Sequence, residues 1–174
     1  MRLQALALFV AAGLVYLRGE PQAPFKLTVT GFPEGAAIPK RFTCDGGDIS
    51  PALQWAGEPL KTQSFALIVD DPDAPDGTWN HWLVWDIPSR IHGFPEGVGP
   101  AGPGKSGTND FGKRGYGGPC PPEGAGAHRY FFRLYALDVP ALGLSPGAKR
   151  PALEKALKKH GLAEASYIGR YERK

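Results

Sequence analysis

Scarcity narrows the reading of this chain before any motif does. Its 174 residues include two cysteines, Cys44 and Cys120, and no HExxH spacing, so the common zinc-site signatures are missing. No serine-centred nucleophile elbow is present, and no glycine fingerprint of the kind that needs a strand before it and a helix after it. Hydrolase and nucleotide-binding chemistry therefore have little to stand on, and no metal or organic cofactor is expected. Charge is nearly balanced, at +3 overall with a pI near 8.9. The basic residues are scattered or gathered in one helical stretch, which leaves no footprint for nucleic acid. There is no internal repeat.

Glycine and proline, by contrast, are abundant. The 24 glycines and 18 prolines make up nearly a quarter of the chain, and the 19 aromatics sit mostly in short alternating runs. That composition favours an all-β architecture over helices. Residues 25–174 are enough for one domain with a real core.

Residues 1–24 read differently from the rest. They open with Arg2, run through an apolar stretch of 15 residues from Leu3 to Leu17, and turn polar at RGEPQAP. The run is short for a membrane span and matches the apolar region of a secretory signal. Tyr16, Leu17 and Arg18 occupy the place where a small-x-small cleavage site belongs. A signal peptide and an uncleaved membrane anchor both remain open, and either implies export.

From Phe25 the chain reads as strands and turns. FKLTVTGF (25–32) alternates, and AAIPKRFT (36–43) is expected to pair back onto it, with Pro39 marking an edge. CDGGDISPALQW (44–55) reads as a loop whose Asp45, Asp48 and Ser50 bond nearby backbone. Ser64–Val69 is an apolar run of strand length. His81–Ile87 places His81, Leu83, Trp85 and Ile87 on one face, and Trp82, Val84 and Asp86 on the other. Joined by a Pro- and Gly-punctuated connection, the two runs are expected to be antiparallel neighbours, so that Asp71, Asp73 and His81 share a rim.

The interval 93–127 holds 12 glycines and 6 prolines in 35 residues, with no helical or strand period. A stretch of that length is either a linker or a functional loop. It carries Asn109, Asp110, Phe111, Arg114 and Tyr116, which a plain linker does not need. His128–Asp138 then alternates His128, Tyr130, Phe132 and Leu134 against Arg129, Phe131, Arg133 and Tyr135. A helix follows, with Pro151 at its first position, Leu153, Ala156, Leu157 and His160 on one stripe, and Gly161 just past its end. AEASYIGRYER (163–173) is expected to be a last strand.

His81 and His128 each open a strand directly after a loop rich in proline and glycine, and Asp71 closes another strand. Aligned in one sheet, these three and Tyr130 converge on a concave mouth suited to anions: imidazole and phenol donors, glycine N–H groups, and a carboxylate to fix a histidine tautomer. The competing reading is that each histidine merely satisfies a loop end.

DPDAPDGTWNHWLVWDIP (71–88) and GPCPPEGAGAHRYFFRLYALD (118–138), together with FTCDGGDISPALQW and GTNDFGKRGYGG, resemble the paired signatures of the phosphatidylethanolamine-binding proteins, also called Raf kinase inhibitor proteins. The likeness is to the bacterial branch and covers roughly residues 25–172. It implies an antiparallel β-sandwich with a short helix near the C-terminus and a pocket for phosphate-like groups or phospholipid head groups. Carried over residue by residue, that pocket uses Asp71 and Asp73 of DPDAP, His81, Pro121 of GPCPP, and His128 and Tyr130 of HRY. The resemblance also implies a cis Ala74–Pro75 bond. Family relatives are associated with inhibition of proteases and kinases, so docking of a protein segment at the same rim is a second expectation. Asn80 stands where animal members often carry a second histidine, and the chain ends without their C-terminal helix. In an exported protein Cys44 and Cys120 read as one disulfide; in the cytosol they would be two buried thiols.

Overall fold

The computed structural model describes residues 23–174. The expected signal or anchor therefore lies outside the described residues, apart from its last two. Among the described residues no helix is long and apolar enough to cross a membrane.

Two antiparallel sheets make the sandwich. Lys26–Val29 (β1), Leu53–Ala56 (β2) and Gly93–Phe94 (β5) form the smaller sheet. The larger is built from Ser64–Asp71 (β3), Trp79–Pro88 (β4), Lys105–Ser106 (β6), His128–Leu137 (β7) and Gly161–Tyr171 (β8), in the order β6-β4-β3-β7-β8. The core between the sheets takes Leu27, Val29, Leu53, Trp55 and Phe94 from the small sheet, and Phe65, Leu67, Val69, Trp82, Val84, Phe132 and Leu134 from the large one. Each such side chain, fully buried, stabilises the fold by roughly 1.5–3 kcal/mol before entropy is counted.

The outer face of the large sheet is covered by the helix Arg150–His160 (α1), whose Leu153 and Leu157 pack with Ala66, Ile68, Leu83 and Trp85. This explains why SFALIV is a continuous apolar run: β3 is central and buried on both faces, all 8 residues of it. Pro151 falls in the first turn of α1, and Leu153 and Leu157 sit four apart on its buried side. Gly161 ends the helix in extended conformation (φ −71°) and runs straight into β8.

Two expectations fail for local reasons. AAIPKRFT does not return as a strand against β1. Residues 36–38 instead lie along β8, where Ile38 N–H donates to Arg170 O at 2.7 Å and Arg170 N–H to Ala36 O at 2.9 Å. Pro39, with no N–H to continue that pairing, then leads into a 3₁₀ turn, Lys40–Phe42, that buries Phe42. The alternation assigned to His81–Ile87 is also broken. Phe65 pairs with Ile87 but Leu67 with Val84, so β4 bulges between them, at Asp86 with φ 55°. The extra residue turns Ile87 to the inner core beside Trp82 and Val84, while Leu83 and Trp85 face the helix.

Candidate functional site

A second bulge in β4 builds the site. Val69 pairs with Trp82 and Asp70 with Asn80, leaving His81 without a partner on β3. The bulge swings His81 out of the alternation onto the side of Tyr130, with ring centroids 5.2 Å apart, while Asn80 turns to the helix side. Asp71 ends β3 and His128 opens β7, so the sheet brings all three to one edge.

Each histidine is anchored through the same ring atom. His128 Nδ1–H donates to Asp71 Oδ2 at 2.8 Å, and His81 Nδ1–H donates to Gly117 O at 2.7 Å. Neither of these bonds uses Nε2. Asp71, His81 and His128 are 3%, 2% and 5% exposed, so their polar atoms work in a largely water-free setting. Burial pushes the His81 pKa below the usual histidine value, against the opposing pull of Gly117 O and the Asp71 charge. Burial thus favours the neutral ring, and the bond to Gly117 O places its proton on Nδ1.

The three residues floor a cavity of about 230 Å³, walled by Trp79, Phe111, Pro121 and Pro122. Phe111 packs edge-on to His81 at 5.3 Å and to Trp79 at 5.5 Å. Apart from Trp79, which opens β4, the wall comes from the glycine-rich interval, which is folded back on itself rather than strung out as a linker. Asn109 Oδ1 accepts from Phe111 and Lys113 N–H, and its Nδ2 donates to His81 O at 3.2 Å and Gly115 O at 3.1 Å. A disulfide joins Cys44 to Cys120, and Asp48 Oδ1 accepts from Gly118 N–H at 2.6 Å. Loop 44–50 thus buttresses the wall. None of its three expected bonds to nearby backbone forms: Asp48 reaches backbone 70 residues away at Gly118, Asp45 accepts from Tyr171 Oη at 2.6 Å and from Arg173, and Ser50 Oγ is buried without a partner.

Four of the six expected site residues line the cavity: Asp71, His81, Pro121 and His128. Two do not. Asp73 turns outward to Arg129, with bonds of 2.8 and 2.7 Å, and the guanidinium holds its pKa down at about 2. Tyr130 is fully buried behind His81, its hydroxyl beside Asp71 but without a hydrogen bond of good geometry; burial first, and the Asp71 charge second, raise its pKa. The Ala74–Pro75 bond is trans, like every described peptide bond, contrary to what the family resemblance implies. The turn closes instead through Asp73 N–H to Asp71 Oδ1 (2.9 Å) and Gly77 N–H to Ala74 O (3.1 Å). Trp79, Phe111 and Pro122 were not among the expected residues. Phe111 had a signal, as an apolar aromatic in a loop of glycines, whereas Trp79 reads only as the start of a strand.

Two other features are weaker candidates. A larger hollow of about 610 Å³ lies against the small sheet, but its histidine, His92, is already bonded to Glu58 at 2.8 Å. Contrary to the flat absence read from the sequence, residues 143–147 (GLSPG) do have the letter spacing of a nucleophile elbow, but no strand runs into them and so no elbow forms. Among the described residues no group of three or more His, Cys, Asp or Glu is placed to hold a metal.

A sandwich with a small cavity at one sheet edge, floored by two histidines and a carboxylate, defines a ligand-binding protein. The chain matches the family model "Phosphatidylethanolamine-binding protein" over residues 28–172, and it belongs to that family. It is 53% identical over 146 residues to a UPF0098 protein of Aquifex aeolicus, a match covering 82% of this chain and 85% of the relative. LppC of Mycobacterium tuberculosis, which is named a lipoprotein, is 40% identical over 149 residues, 86% of this chain and 73% of that protein. Among solved structures, Escherichia coli YbcL superposes with a TM-score of 0.82 at 33% identity, covering 87% of this chain and 100% of that one. The homologue CT736 of Chlamydia trachomatis superposes at 0.79 with 37% identity, over 86% and 98% of the two chains.

Proposed function

We propose that the cavity binds a small anion of the phosphate type, either free or as the head group of a phospholipid. The observation that carries the reading is the shared anchoring of His81 and His128: both rings have Nδ1 engaged by protein acceptors at 2.7 and 2.8 Å, which leaves Nε2 to face a ligand. Protonated, two such rings supply charge-assisted donors in a buried setting, where each is stronger than in water. The carboxylate of Asp71 fixes the orientation of His128 and offsets its charge. Calorimetric titration with a sulfonate and a phosphate monoester tests this directly. Heat of binding that disappears in His81→Ala and His128→Ala supports it, and binding untouched by either substitution contradicts it.

A second reading keeps the same rim but fills it with a protein segment, as in an inhibitor of a protease or kinase. Phe111, 38% exposed at the wall, is the feature in its favour. A pure docking surface of that kind has no need to bind free anions, so the same titration separates the two. We propose further that residues 1–24 direct export, as a cleaved signal or a retained anchor. The disulfide suits an oxidising compartment, and the lipoprotein name of LppC points the same way.

A further inference from the structure

Asn80, immediately before His81, turns away from the cavity into a polar cluster on the helix side of the large sheet. Arg150, in the first turn of α1, reaches it there. One guanidinium nitrogen, Nη1, donates to Asp70 Oδ2 at 2.7 Å and to Asn80 Oδ1 at 2.9 Å, while Nε donates to Glu154 at 2.6 Å. A guanidinium only donates, so the amide of Asn80 must turn its oxygen to Arg150 and its nitrogen away. That nitrogen meets a carboxylate: Asn80 Nδ2 donates to Asp110 Oδ2 at 2.7 Å, and Asn80 N–H to the same oxygen, also at 2.7 Å. Asp110 N–H returns to Asn80 O at 3.0 Å. The next residue is Phe111, the cavity wall that packs on His81 and Trp79.

From this chain of bonds we infer that Arg150 is a positioning residue for the cavity. It acts from the opposite face of the sheet, setting the amide of Asn80 so that Asp110 is clamped and Phe111 is held against His81. Asp70 is 1% exposed and its second oxygen has no partner, so the guanidinium is itself held in place by a buried charge rather than by solvent. The helix and the cavity are in this way one mechanical unit.

The test separates a path through Asn80 from general destabilisation. Arg133 donates to the same Asp70 oxygen at 3.4 Å but makes no bond to Asn80. Amide hydrogen exchange and the imidazole ¹⁵N shifts of His81 are measured in the parent, Arg150→Met and Arg133→Met. Arg150→Met should speed exchange at Asp110 and Phe111 about ten-fold relative to Leu67 in the sheet centre, the effect of losing one hydrogen bond to a charged group. It should also move the His81 shifts, and Arg133→Met should do neither. Unchanged exchange in Arg150→Met, or equal acceleration in both variants, overturns the assignment. Where Arg150→Met does not fold, Arg150→Lys carries the same expectation, since it keeps a cation by Asp70 without the planar fork. Only the ligand arm of the test rests on the anion reading. A parent that binds neither a benzenesulfonate nor phosphate refutes that reading, while exchange still decides on Arg150. Where the parent binds, affinity should fall several-fold in Arg150→Met and hold in Arg133→Met.

Discussion

His128 and Asp71 lie 57 positions apart in the chain and share a hydrogen bond of 2.8 Å, with the opening residue of β7 meeting the closing residue of β3. A carboxylate acceptor at that distance, buried on both sides, fixes which nitrogen of the ring carries the proton and leaves the other free to meet an anion. Asp71→Asn should therefore weaken anion binding by about 1.5–3 kcal/mol, the range for hydrogen bonds to charged groups. Calorimetry at pH 6 against the parent measures it, and equal affinities would show the pair to be structural only.

Asp73 serves the turn rather than the cavity, and its contribution should appear in stability alone. Its folded pKa is depressed to about 2 by Arg129, so the stabilisation is present above the unfolded carboxyl pKa and is lost as pH falls through the folded value. Asp73→Asn should be modestly less stable at pH 7, as expected for a partly exposed ion pair, and the gap should close as pH falls from 4 towards 2. Urea unfolding of both proteins across that range tests the sign. A gap that widens in acid contradicts it.

The disulfide closes a sequence separation of 76 residues. By the chain-entropy model such a loop stabilises by about 4 kcal/mol. The double variant Cys44→Ser, Cys120→Ser should unfold at correspondingly lower denaturant. It should also bind anions more weakly, because Cys120 lines the cavity and the bridge is what ties it covalently to the loop at Cys44. Unchanged affinity in the folded variant would show that the wall stands without the bridge.

Gly118 is a tight point in the same wall. A Cβ there would lie 2.4 Å from Phe42 O and 2.8 Å from Asp48 Oδ1 and Thr43 Cα. Backbone cannot yield as a side chain does, so Gly118→Ala should cost about 1–3 kcal/mol in urea unfolding, the range for overpacking. Gly124→Ala is not an equivalent control despite its open surroundings, because its φ of 74° strains any side chain.

Much of this site could be read from the sequence because strand ends are where period-two patterns stop. His81 and His128 after glycine-rich loops, and Asp71 before a proline-rich turn, marked one sheet edge without any coordinates. Depth was not readable. Tyr130 shares the face of His128, but two residues along a strand is about 7 Å, enough to place it behind the mouth rather than in it. Bulges were not readable either: nothing in the sequence pattern signals that His81 or Asp86 adds a residue to β4, and those insertions decide where Asn80 and Ile87 point. Nor does the pattern show that Asp73 turns out of the cavity, because its partner, Arg129, lies on the face of β7 opposite His128. The central strand and the helix were legible because their apolar residues fall where both sheet faces are covered.

The central claim is that His81 and His128 bind an anion through protonated Nε2, and the pH dependence of sulfonate affinity tests it most directly. A sulfonate keeps a constant charge across this range, unlike a phosphate monoester, which loses its second proton near pH 6. Burial depresses the pKa of His81 in the free protein, and a bound anion raises it. Affinity should be greatest below the free-protein value, fall as pH rises through it, and level off above the value in the complex. Measured by calorimetry from pH 4.5 to 8, the parent should show that fall. His81→Ala and His128→Ala should each lose about 1.5–3 kcal/mol at the acid end, and His81→Ala should show a flatter profile. A parent affinity that is flat with pH and unchanged in both variants would contradict the account.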